Sequence, residues 1–137
     1  MQYNRRFEFS SSHYGYWQHE IVWKAKVNGS ISFDELMHLM SMLHGHNWVV
    51  DVEFSYEESE KVYGVWDQDI EKIVMEWKNC NISTHPDFFQ EEWVSSSENT
   101  AQKLADKLLV SFPATIPSVK VVMYETKDIW VTAVAKR

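Results

Sequence analysis

Residues 43–54 read LHGHNWVVDVEF, and their alternation decides the fold. From His44 onward, His44, His46, Trp48, Val50, Val52 and Phe54 share one parity. Gly45, Asn47, Val49, Asp51, Glu53 and Ser55 share the other. A strict two-residue period marks a strand with one buried face. Two imidazoles therefore open a strand on its apolar side, where a titratable ring needs a reason to be.

The flanking sequence supplies partners for this strand. Residues 2–10, QYNRRFEFS, alternate as well, with Tyr3, Arg5, Phe7 and Phe9 on one side, and the same parity carries Ser11 and His13. In HEIVWKAKVNGSISF the Asn28-Gly29 pair lies between short β-prone runs and predicts a hairpin turn. FDELMHLMSML, residues 33–43, predicts a short helix with Asp34 near its start. DQDIEKIVMEWK repeats Ile70, Ile73, Val74 and Trp77 at helical spacing. SSSENTAQKLADKLLVSF repeats Ala101, Leu104, Ala105, Leu108, Leu109 and Phe112 in the same way. Ser95-x-x-Glu98 reads as a capping box at its start. The end, VKVVMYETKDIWVTAVA, predicts two strands joined at Lys127-Asp128, with Glu125 terminating an apolar stripe. Together these elements predict an α+β domain over residues 1–137, a four-stranded antiparallel sheet with two helices on one face.

Composition narrows the function. Apolar residues make up 45% of the 137, enough for a packed core. The net charge of −7 argues against nucleic acid as a partner, because that binding needs clustered Lys and Arg. Arg5-Arg6 and Lys24 with Lys26 suffice for one phosphorylated small molecule at most. No apolar run approaches the ~20 residues that span a bilayer, so no membrane role is expected. The lone Cys80 forms no internal disulfide, and without a secretory segment the expectation is a cytoplasmic protein. Cys80 itself reads as a small structural thiol near a helix end.

His44 and His46, two residues apart on a strand, project from the same face and can approach one ion together. Neutral imidazole suits zinc, and zinc prefers a tetrahedral shell. His13 has the matching parity at the end of the first strand, although six histidines offer other partners. Three histidines would leave one position open for water or substrate, as in a catalytic site. The same spacing also fits satisfied or half-exposed strand-end histidines.

FEFSSSH, LHGHNW, SSENTA and YET follow one another across most of the chain. In this order they resemble the motifs of the 6-pyruvoyltetrahydropterin synthase family, which includes the 6-carboxytetrahydropterin synthases of the queuosine pathway. The resemblance implies a tunnelling fold whose sheets join into a barrel on oligomerisation, as a trimer or hexamer. It implies zinc held by His13, His44 and His46. It also implies Glu125 gripping the pyrimidine edge of a pterin, since a carboxylate accepts two parallel N–H bonds. Ser96 and Glu98 match the family's substrate-binding P-T-x-E-N segment, with Ser95 in place of its proline.

Two positions depart from the family pattern. Met40 stands where the family carries a cysteine base, and a thioether has no proton to exchange. Glutamate, which replaces that cysteine in other branches, is nearest at Glu35, and His38 lies beside Met40 on the same expected helix. Thr84-His85 aligns with the family's Asp-His pair, so His85 is the remaining candidate catalytic base. Losing an orienting carboxylate costs about 10⁴ in turnover in a comparable triad. The leading expectation is a zinc-dependent lyase acting on 7,8-dihydroneopterin triphosphate or a close relative. The alternative is a catalytically silent homologue that binds a pterin or deazapurine as a binding or regulatory protein.

Overall fold

Alternating side chains leave each strand with one apolar face, and four such faces line up as one antiparallel sheet. Its strands are β1 (Gln2–His13), β2 (His44–Ser55), β3 (Ser118–Thr126) and β4 (Ile129–Lys136), in the order β1-β2-β3-β4. The computed structural model describes residues 1–13, 24, 27–30, 32–35, 44–57, 65–89 and 96–137, without the side chains of His44, Val65, Thr84 and Phe89. Register follows the parity expected from the sequence: Phe7 faces Val50, Phe9 faces Trp48, and Val52 faces Val121.

Helix α1 (Val65–Val74) continues as a 3-10 turn, Met75–Trp77, and a second 3-10 turn spans Ile82–Thr84. Helix α2 (Pro86–Phe89) is a single turn, and α3 (Ser97–Ser111) is the long helix. α3 lies across β3 and β4 and packs against α1. Its apolar side, Ala101, Leu104, Ala105, Leu108 and Leu109, is buried in one core cluster with Trp48, Val50, Val119, Val121 and Met123. The result is the expected α+β arrangement with both long helices on one face. Among the described residues no helix is long and apolar enough to cross a membrane.

Two local expectations need correction. Val27 and Asn28 have helical backbone and Gly29 has φ 71°. The Asn-Gly pair therefore ends a helical turn instead of joining two strands, because a positive φ serves both tasks. At the start of α3 the cap is Ser96, whose Oγ accepts from the Asn99 amide at 3.2 Å, so the capping register lies one residue later than Ser95-x-x-Glu98. Residues 33–35 are helical as expected, and Ser32 and Glu35 bond each other reciprocally as a capping box at that start. The remainder of the expected helix, with His38 and Met40, lies outside the described residues.

The short linker after α1 is tied to the end of β1. Asn79, at φ 58°, donates its amide to Ser10 O at 2.6 Å, and Ser12 donates to Cys80 O at 3.0 Å. A parallel bridge joins Ser12 and Asn81. Cys80 Sγ donates to Trp77 O, and burial pushes its thiol pKa up, as fits a structural thiol.

The paired arginines are already engaged. Arg5 bonds Asp67 on α1 and reaches Glu71, while Arg6 grips Asp51 with Nε at 2.7 Å and Nη2 at 2.8 Å. Arg6 holds the Asp51 carboxyl below its usual range. Burial draws the Asp67 carboxyl upward, but bonds from Tyr3 and Arg5 outweigh it and leave the carboxyl lowered. Carboxyls depressed only in the folded chain stabilise it above an unfolded pKa of about 3.9, and this is lost as pH falls through their folded values. Urea unfolding should show stability declining below about pH 4, with a shallower decline in Asp67→Asn. A stability that rises on acidification over that range would contradict these pairings.

Candidate functional site

β1, β2 and β3 bring their titratable residues to one end of the sheet. Pairing sets His13 opposite His44 and Ser11 opposite His46. The His13 and His46 rings lie 4.9 Å apart and nearly perpendicular, and both lean on Trp48, at 5.5 and 4.8 Å. Trp48 is fully buried, and its Nε1 donates to Ser11 Oγ at 2.7 Å. That bond satisfies the indole and fixes the plane against which both imidazoles rest. Gly45 is not sterically required here, because an added Cβ would meet only Ser11 O at 3.7 Å, an ordinary contact.

Glu125 enters from β3 at an irregularity. Tyr124 pairs with Trp130 and Thr126 with Ile129, which leaves Glu125 as the extra residue of a bulge. Bulges re-aim side chains at sheet rims. Ser97, on the first turn of α3, donates its hydroxyl to Glu125 Oε1. Ligand atoms of His13, His46 and Glu125 all lie within 4.8 Å of one another. A tetrahedral zinc shell sets its ligands about 3.4 Å apart, so modest side-chain turns bring this set onto one ion. Two imidazoles and a carboxylate are also a donor set that zinc accepts.

A cavity of about 290 Å³ opens beside this cluster, lined by His13, Ser96, Ser97, Glu98, Glu125, Ile129 and Val131. Of the residues singled out in the sequence, His13, Ser96, Glu98 and Glu125 meet at this cavity, and His46 adjoins it through the His13–Glu125 cluster. The backbone of His44 is in register with His13, while its side chain lies outside the described residues. Ser96 also spends its hydroxyl on the α3 cap. Sequence reasoning missed Ser97, whose only signal was its place between Ser96 and Glu98 on a helix start. It also missed Ile129 and Val131, which form the apolar wall.

His85 is not in the cavity lining. It belongs to a second cluster with Glu76 and Asp87. Lys107 Nζ bonds Asp87 at 2.6 Å and also bonds Glu76, so an ammonium already balances both carboxylates where a metal would sit. Trp77 Nε1 donates to Asp87 at 2.9 Å. Burial draws the Asp87 carboxyl upward, yet bonds from Lys107 and Trp77 hold it below its usual range. Burial lowers Lys107, and its bonds to Asp87 and Glu76 overcome that and raise it.

The sequence matches the family model described as 6-pyruvoyl tetrahydropterin synthase across residues 2–136. The chain belongs to this family. Its fold is similar to that of the 6-pyruvoyl tetrahydropterin synthase of Caenorhabditis elegans, with a TM-score of 0.62 and 21% identity, covering 100% of this chain and 95% of that one. The synthase of Plasmodium vivax matches with a TM-score of 0.58 and 11% identity, covering 100% and 99%. An archaeosine synthase QueF-Like in the apo form matches with a TM-score of 0.52 and 15% identity, covering 98% and 91%. At these identities the likeness establishes the fold. No curated protein matches the sequence. Within this family member, the imidazole pair stands or falls with the indole beneath it. Trp48→Ala should cost about 3–5 kcal/mol in urea unfolding, and a cost below about 1 kcal/mol would contradict Trp48 as the floor of the site.

Proposed function

We propose that this chain is a zinc-dependent pterin-processing lyase acting on 7,8-dihydroneopterin triphosphate or a close relative. The observation that carries this reading is the meeting of His13, His46 and Glu125 at one cavity that Ser96, Ser97 and Glu98 also line. His13, His44 and His46 would hold the zinc, with Glu125 left to face the ring. Zinc, when bound, polarises a side-chain hydroxyl or keto oxygen and acidifies the neighbouring C–H.

The chain's own groups divide the remaining work. Glu125 accepts the N–H pair of a 2-amino-4-oxo heterocycle, and the Ser97 hydroxyl holds one of its oxygens in place. Glu98 and Ser96 line the cavity at the start of α3, and Ile129 and Val131 cover an apolar flank of the ring. His85 carries the proton transfer. It lies outside the cavity of its own chain, so this role depends on assembly presenting it to a neighbouring copy. Exposed Ile129, Trp130 and Val134 on the outer strand β4 support such a homo-oligomer, a trimer or hexamer closing its sheets into a barrel. The single free thiol, Cys80, fits a reducing, cytoplasmic setting.

Met40 and Thr84 favour the second reading, a catalytically silent homologue that binds a pterin or deazapurine. One experiment separates the two. Zinc-loaded protein incubated with 7,8-dihydroneopterin triphosphate should release triphosphate, and His85→Ala should abolish release while zinc content stays unchanged. Tight pterin binding with no release in the unmodified protein would establish the silent reading instead. Absence of both binding and release would overturn both.

A further inference from the structure

Thr84 removes the carboxylate that precedes His85 in the family pattern, but the fold supplies another one from the opposite side. His85 has φ −65° and ψ 143°, an extended conformation that a following proline favours. Pro86 then opens α2, where its missing N–H costs nothing. This geometry folds Asp87 back over the imidazole. The Asp87 amide donates to His85 Nδ1 at 3.2 Å, and Asp87 Oδ2 lies 3.3 Å from the same nitrogen.

We propose that Asp87 is the positioning residue for His85, standing in for the carboxylate absent at Thr84. The proposal rests on the reading of His85 as the proton-transfer group. One residue presents both a donor and an acceptor to Nδ1. When Nδ1 carries no proton it accepts from the Asp87 amide, and when it carries one it faces Asp87 Oδ2. Nδ1 is thus matched in either tautomer and in the imidazolium without a ring flip, and Nε2 takes up a proton only in the Nδ1–H form, the form that Asp87 Oδ2 favours over the amide.

The carboxylate itself is held from two sides. Trp77 Nε1 and Lys107 Nζ both bond it, and Lys107 is anchored in turn by Glu76. Trp77 is almost wholly buried, and its ring meets the His85 ring edge-on with centroids 6.5 Å apart. Among the described residues, the charged and titratable groups around the pair are Glu76 from the 3-10 turn, Lys107 from α3, and the Cys80 thiol, which feels the Asp87 charge. Lys107 and Trp77 keep the carboxylate in place, and so keep it available to an imidazolium.

The test reads the ring directly. In protein with 15N-labelled histidine, the unmodified chain at acid pH should show a His85 Nδ1–H that is shifted downfield and exchanges more slowly than its Nε2–H. Asp87→Asn keeps the backbone donor and the size of the side chain but removes the anionic acceptor. It should abolish that protection, drive the neutral ring to the Nε2–H tautomer, and lower kcat at least about 100-fold with little change in KM. Lys107→Gln removes one of the two groups that hold the carboxylate and should weaken the Nδ1–H protection without abolishing it, whereas a purely structural role for Asp87 predicts the same loss in both variants. An Nδ1–H that exchanges as fast as Nε2–H in the unmodified protein overturns the proposal, as do His85 signals unchanged by Asp87→Asn. If the unmodified protein shows no turnover, the lyase reading fails, and the nitrogen signals alone still decide the role of Asp87.

Discussion

The antiparallel register between β1 and β2 is the constraint on which the site depends. It sets Phe7 against Val50 and Phe9 against Trp48, and with the same parity it delivers His13 and His46 to the buried face. A slip of one residue would turn every one of these side chains to the opposite face. Core packing and the placing of the two imidazoles are therefore specified together. Trp48 links them physically, since its indole is part of the core on one side and the rest for both imidazoles on the other.

The remaining parts of the site are mounted on this frame from the far edge. The bulge at Glu125 breaks the β3–β4 ladder where a carboxylate has to leave the apolar stripe. Helix α3 begins directly opposite, capped by Ser96, so that the next residue, Ser97, reaches the Glu125 carboxylate. The helix start thus serves both the fold and the placing of the Glu125 carboxylate. The Asp87–Lys107–Trp77 group does the same for His85, since the contacts that fasten α2 to α3 also orient the imidazole.

Much of this was legible in the chain because it depends on short periods. Alternation in residues 44–54 and 2–13 revealed two strands and the shared face of His13 and His46, and helical spacing revealed α1 and α3. Asn28-Gly29 misled because a residue with positive φ ends a helix as readily as it turns a hairpin. The Ser97–Glu125 bond and the closure of Asp87 by Lys107 join residues far apart in sequence, and no local pattern announces such pairs. Asp87 was hidden further by its position after His85, since the expected carboxylate precedes it. The bulge left no mark because YETKDI reads equally well as a regular strand end.

The central claim is that imidazoles from two neighbouring strands converge on one divalent ion beside the Glu125 cavity. Anomalous diffraction from crystals of the purified protein, recorded on both sides of the zinc edge, tests it most directly. The account predicts one peak per chain, with ring nitrogens of His13 and His46 about 2.0–2.1 Å away. A fully zinc-supplemented crystal with no peak between those two rings, or with its zinc bound elsewhere, would contradict it.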